Sequence, residues 1–157
     1  MGKIRIDVIK DFLDTSVLVA AFWGDHINHE SSLEIFATAS KTNAACSAHS
    51  VAEVYSVTTT LPVRPLVSPD QVILFLEQLR EKIAIIPLSA EEYFKTVRNA
   101  GELGVTGRRI YDALLLAAAR KVQAKNVYTW NVRHFRQLAP DLERRIRTPN
   151  DEQTEAG

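Results

Sequence analysis

Cysteine is almost absent from this chain: Cys46 stands alone among 157 residues. One thiol excludes an internal disulfide and any zinc site built from several cysteines. Its setting, Asn43-Ala44-Ala45-Cys46-Ser47, reads as a short buried strand, so the thiol is expected to be packed rather than reactive. Long apolar runs are also missing, and nothing is long enough to span a bilayer. The opening Met1-Gly2-Lys3-Ile4-Arg5-Ile6-Asp7 is broken by charge where a signal peptide would be apolar. A cytoplasmic protein without a membrane partner is the expectation. Neither sign of charge is in excess: Lys+Arg and Asp+Glu both number 19 and the formal net charge is zero. Composition therefore gives no support for broad attraction to nucleic acid, and any such contact must come from local basic patches. There is no internal repeat, no low-complexity tract and no Gly-rich phosphate loop of the nucleotide-binding kind.

What is present is a core's worth of apolar residues, 46% of the chain, at a one-domain length. Phe12-Leu13 is a short apolar segment ending at Asp14, and the run Val17 to Phe22 follows at once. This predicts a strand and then a helix capped by Thr15 or Ser16. Residues 29–39 predict an amphipathic helix, residues 43–47 a strand and residues 48–60 a helix. Residues 61–69 carry three prolines and predict a loop, with Ser68 and Pro69 opening the next helix. Ile83 to Ile86 predicts a third strand, and Ser89-Ala90-Glu91-Glu92 a capping box opening a helix to about Glu102. An apolar helix over residues 109–124, a strand over 126–129, a short helix over 132–138 and a fifth strand at Ile146 complete the order. Strands alternating with helices predict an α/β domain with a mainly parallel sheet and helices on both faces. Residues 1–148 are read as one domain, and 149–157 as a polar tail, frayed from Asn150 on. Ligands of such sheets collect beyond the carboxyl ends of the strands, where Asp14 and Asn131 are expected to lie.

Three acids have neighbours unsuited to a solvated charge. They are Asp14 after Phe12-Leu13, Glu53 within Val51-Ala52-Glu53-Val54-Tyr55, and Asp112 within Ile110-Tyr111-Asp112-Ala113-Leu114-Leu115-Leu116. A carboxylate in low dielectric is costly unless paired or metal-bound, and Mg²⁺ or Mn²⁺ prefers a few carboxylates plus water. Each acid has a plain reading beside this one. Asp14 caps a helix, Glu53 sits on a wet helical stripe, and Asp112 answers a helix dipole. Periodicity does not bring the three together.

The segments Phe12-Leu13-Asp14-Thr15-Ser16-Val17-Leu18-Val19, Ser50-Val51-Ala52-Glu53-Val54-Tyr55 and Arg109-Ile110-Tyr111-Asp112-Ala113-Leu114-Leu115-Leu116-Ala117 resemble the three acidic blocks of the PIN-domain family. Val127-Tyr128-Thr129-Trp130-Asn131-Val132-Arg133-His134-Phe135 resembles its fourth. The four stand in the family's order and cover residues 10–148. The resemblance implies a three-layer α/β/α domain with a central, mainly parallel sheet of four to five strands. It implies an endoribonuclease dependent on Mg²⁺ or Mn²⁺. The short members resembling this chain are mostly VapC-like toxins of type II toxin–antitoxin pairs, which implies an RNA substrate, a cognate antitoxin and a homodimer. Carried over by residue, Asp14, Glu53 and Asp112 hold the metal, and Ser16 and Thr129 support them. The family often has a fourth acid where this chain has Asn131, whose amide can ligate a cation but carries no charge. Arg108, Arg109, Arg133 and His134 lie near the third and fourth blocks as phosphate contacts, with surface arginines as the plain reading.

Other residues invite two readings. Arg144, Arg145 and Arg147 form a basic patch for RNA backbone or an acidic antitoxin segment. His26, His29 and Glu30 fit no common zinc spacing and read as a loop followed by a helix start. His49 and Glu53 are four apart and can face one another on a helix, or His49 is a surface residue. Trp23 and Trp130 suit base stacking or core packing. Two competing functions stay open. One is a phosphatase-like enzyme using Asp14 as nucleophile, against which Ser16 stands where a second aspartate belongs. The other is a PIN fold that binds RNA or protein without cutting, suggested by Asn131.

Overall fold

The computed structural model describes residues 8–151. The charged opening segment, residues 1–7, and most of the expected tail, residues 152–157, lie outside the described residues. Pro149 is buried, and Asn150 Oδ1 accepts the Ser31 hydroxyl at 2.6 Å.

Among the described residues, five strands form the sheet: β1 (Asp11–Leu13), β2 (Ala44–Ser47), β3 (Ala84–Ile86), β4 (Asn126–Tyr128) and β5 (Ile146–Arg147). Their order is β3-β2-β1-β4-β5 and every pairing is parallel. The helices are α1 (Thr15–Phe22), α2 (His29–Ala37), α3 (Ala48–Thr59), α4 (Pro69–Lys82), α5 (Ala90–Glu102), α6 (Arg109–Lys121) and α7 (Val132–Leu138), with a 3-10 turn at Pro140–Leu142. The expected α/β/α arrangement is therefore what the chain adopts. Side chains alternate across the sheet as the pleat demands. Leu13, Cys46 and Tyr128 enter one core with Val54, Val72, Phe75 and Leu79. Phe12, Ala45 and Val127 enter the other with Leu115, Leu116, Phe135 and Ile146. Both faces are covered, which is why the short strands read as continuous apolar runs.

Two helix boundaries differ from expectation. The first helix starts at Thr15, with Asp14 rather than Thr15 or Ser16 at the N-cap position and no side-chain cap bond. The hydroxyls of Thr15 and Ser16 turn to acids instead of helix amides. Helix α6 ends at Lys121, short of residue 124, because Gln123 takes the left-handed conformation (φ 53°) and stops the spiral. The capping boxes at Ser68 and Ser89 form as their sequences predict. Among the described residues, no helix is long and apolar enough to cross a membrane.

The chain moves from β1 outward through β2 to β3, then returns to the opposite side of β1 for β4. The strand order thus reverses between β1 and β4, and a crevice opens there at the carboxyl ends. Leu13 is in register with Tyr128, so the next residues, Asp14 and Thr129, meet across that crevice.

Candidate active site

Asp14 is 3% exposed at the mouth of the β1–β4 crevice. Its Oδ2 accepts the Ser16 hydroxyl at 2.7 Å and the Thr129 hydroxyl at 2.8 Å. Those hydroxyls are themselves oriented: Ser16 Oγ accepts the Trp130 backbone N–H at 3.0 Å, and Thr129 Oγ1 accepts that of Asn131 at 3.0 Å. No side-chain donor reaches Oδ1 among the described residues. Burial pushes the carboxyl's pKa up, and the two hydroxyls and the nearby backbone of Ser16 and Thr15 only partly offset that. The capping reading of Asp14 is thus half right, in position but not in hydrogen bonding.

Glu53 comes from α3. The Thr15 hydroxyl lies 3.2 Å from its Oε1 and 2.9 Å from buried Ser50 Oγ, linking α1 to α3. Burial raises its pKa, as does the Asp14 charge; Thr15 and the Arg108 guanidinium pull the other way. Asp112 sits in the first turn of α6. Burial, then Asp14, then Glu53 push it up to about 6, against His134 and Arg109. The favourable pole of a helix would lower an acid, so burial and like charge outweigh the dipole here. The three acids, distant in sequence, therefore share one electrostatic site. Asp14 raising Glu53 and Asp112, and Glu53 raising Asp112, without enough cationic partners, make a donor set suited to a hard divalent cation. As placed, no group of three His, Cys, Asp or Glu side chains among the described residues is already gathered at metal-ligand spacing. A cation that keeps several waters, as Mg²⁺ does, tolerates that looseness.

The structure brings Arg108 near Glu53, and Arg109 and His134 near Asp112. Arg133 is exposed on α7 and contributes to none of these shifts. Asn131 is exposed at the start of α7 and enters the site through its backbone N–H. The C-terminal arginines are partly tied to the sheet: Arg145 donates to Ala124 O and Arg147 to Asn126 Oδ1. His26 accepts the Asn28 N–H, and His29 Nδ1 sits 2.8 Å from Ala20 O, so both serve local structure. Trp130 packs on the core and donates its indole N–H to buried Ser32, as the packing reading expects. Cys46 is buried, its thiol pushed up to about 12, and inert. His49 lies 3.4 Å from Glu53 and stacks on Tyr111 with ring centroids 4.9 Å apart.

Residues 12–139 match the PIN domain family. This chain belongs to the PIN-domain family. At 34% identity over 112 residues it is similar to ribonuclease VapC40 of Mycobacterium tuberculosis, strains CDC 1551 and H37Rv; the match covers 71% of this chain and 80% of that one. Its fold is similar to that of M. tuberculosis VapC20, a sarcin-ricin loop cleaving toxin, with a TM-score of 0.64 at 16% identity, covering 78% of this chain and 90% of that one. It is also similar to VapBC2 from Rickettsia felis bound to a DNA fragment from its promoter, with a TM-score of 0.56 at 19% identity, covering 89% and 98%. Against the PIN frame, sequence reading missed Thr15, Ser50, Tyr111 and the Trp130 amide. A run of hydroxyls beside an acid inside an apolar segment was the available signal for Thr15. The other three depend on contacts that only folding creates.

Proposed function

We propose that this PIN protein is a metal-dependent endoribonuclease, the toxin of a toxin–antitoxin pair, which hydrolyses RNA phosphodiester bonds. The observation that carries the chemistry is buried Asp14 at the switch point of the sheet, its charge raising Glu53 and Asp112 beside it. The likeness to a protein named ribonuclease VapC40 supports the reaction class. Bound Mg²⁺ or Mn²⁺ would supply Lewis-acid activation of water and neutralise charge on the phosphodiester. Asp14, Glu53 and Asp112 would hold the ion. Ser16 and Thr129 fix Asp14 by donating to one of its oxygens, and Thr15 does the same for Glu53. Arg108, Arg109 and His134 face the phosphate. The Asn131 amide accepts or donates to a bound water without adding charge. A carboxylate of the cluster takes the proton from the attacking water. Water oxygen bonds to phosphorus, the bond from phosphorus to the 3′ oxygen breaks, and that oxygen takes the proton back from the carboxylate and leaves as a hydroxyl. Products carry a 5′-phosphate and a 3′-hydroxyl. The chain acts as a homodimer in the cytoplasm and is silenced by an antitoxin protein, a pairing in keeping with the VapBC2 complex it resembles.

The test is cleavage of total cellular RNA by protein freed of antitoxin, with Mn²⁺, with chelator and with Asp14→Asn. Cleavage that needs both the metal and Asp14 supports the nuclease. Equal inertness of wild type and D14N in Mn²⁺ rejects it. A second reading, a PIN fold that binds RNA or protein without cutting, draws on Asn131 and on the ungathered ligands. It requires RNA binding with no turnover in any divalent ion.

A further inference from the structure

One ring nitrogen at the edge of the carboxylate cluster is an outlier. His49 Nε2 is closed off from solvent and has no hydrogen-bond partner among the described residues. Buried polar atoms are nearly always paired, so an orphan points to a partner that the arrangement has yet to engage. The atom it faces is Glu53 Oε1, 3.4 Å away and one helical turn on. At that separation the contact lacks hydrogen-bond geometry, and re-aiming the Glu53 carboxylate would complete it.

The ring is not free to point elsewhere. The His49 backbone N–H donates to Ser47 Oγ at the start of α3. Its imidazole stacks on Tyr111 with an interplanar angle of 14°. Tyr111 precedes Asp112 on α6, so the stack ties the helix carrying one acid to the helix carrying another. Glu53 Oε1 also receives the Thr15 hydroxyl. The Thr15 hydroxyl and His49 Nε2 thus approach the same oxygen, and no donor reaches Oε2 among the described residues. Asp14 repeats the pattern, with Ser16 and Thr129 both on Oδ2.

We propose that His49 is a positioning residue: its Nε2–H donates to Glu53 Oε1, fixes the rotation of that carboxylate and leaves Oε2 for a divalent cation shared with Asp14 and Asp112. This rests on the metal-dependent nuclease reading. Outer groups that orient a metal ligand typically change metal affinity about 10–100-fold when removed. The ring proton must then sit on Nε2, and Tyr111 holds the ring rather than touching the cation.

The test compares wild type, His49→Phe, His49→Gln and Asp14→Asn for Mn²⁺ binding, read as free Mn²⁺ by electron paramagnetic resonance. Phenylalanine keeps a ring over Tyr111 and removes the donor; glutamine restores an N–H at similar reach. H49F should weaken Mn²⁺ binding about 10-fold or more, and H49Q should recover most of it. Thermal melts of the metal-free variants should stay close to wild type. In metal-free wild type, imidazole nitrogen NMR should show the Nε2-protonated tautomer. An Nδ1-protonated ring, H49F binding Mn²⁺ as wild type does, or H49Q as weak as H49F would each overturn the assignment. If D14N binds as wild type does, the metal site itself is wrong and this role falls with it. If D14N alone loses Mn²⁺, only the His49 role fails.

Discussion

Asp14 and Glu53 are each gripped by one oxygen, and hydroxyl side chains do the gripping. The acids themselves were legible, because a charge beside Phe12-Leu13 or within an apolar helix lacks an ordinary explanation. Thr15 was not, because its partners Ser50 and Glu53 lie 35 and 38 residues away. Asn131 is the position that can be tuned. It stands at the start of α7, where its backbone N–H already donates to Thr129, the residue that holds Asp14. In the proposed site, Asn131→Asp would add a fourth negative charge to a cluster that already repels itself. Metal-free N131D should melt below wild type, and Mn²⁺ should bind it more tightly, so added Mn²⁺ should raise its melting temperature by more. Equal Mn²⁺-induced shifts in a thermal titration would place residue 131 outside the metal's reach.

At the scale of elements, the ends of helices were the most readable features where caps are local. Ser68 with Gln71 and Ser89 with Glu92 close their boxes within three residues. Glu92 also accepts Lys121 Nζ at 2.9 Å, fastening α5 to α6. The Ser89 backbone N–H, then Lys121, hold its carboxyl below the ordinary 4.5. A depressed acid stabilises the fold above its unfolded pKa and loses that contribution as pH falls through the folded value. Glu92→Gln keeps the box and removes the charge. It should cost a few tenths to about 1 kcal/mol at pH 7, given how exposed the pair is. The deficit should shrink as pH falls from about 5 to about 3, followed by urea melts. The end of α6 was misjudged because Gln123 turns left-handed without a glycine to announce it. Gln123→Gly should therefore stabilise the protein by about 0.5–1 kcal/mol. A loss of stability in the same melts would mean the Gln123 side chain makes up for its backbone.

At the scale of the whole molecule, the strand order places the crevice. Five parallel strands reversing direction of travel at β1 and β4 put Asp14 and Thr129 side by side, with α3 and α6 delivering the other two acids. The homodimer proposed for this chain has a plain check. Light scattering of the purified, antitoxin-free protein should return twice the chain mass of 17.6 kDa. A mass of one chain at micromolar concentration would remove the dimer from the proposal.

Element order, the two-sided core and the oddity of three carboxylates all follow from short-range facts. They are apolar alternation at two or 3.6 residues, Ser and Pro at helix starts, and charge where none belongs. Convergence does not. Whether Asp14, Glu53 and Asp112 face one crevice depends on which strands pair and in which register, and pairing is set by burying both sheet faces at once rather than by any local preference. The same holds for the stack of His49 on Tyr111, whose residues lie on α3 and α6 and meet only when both helices pack beside the sheet.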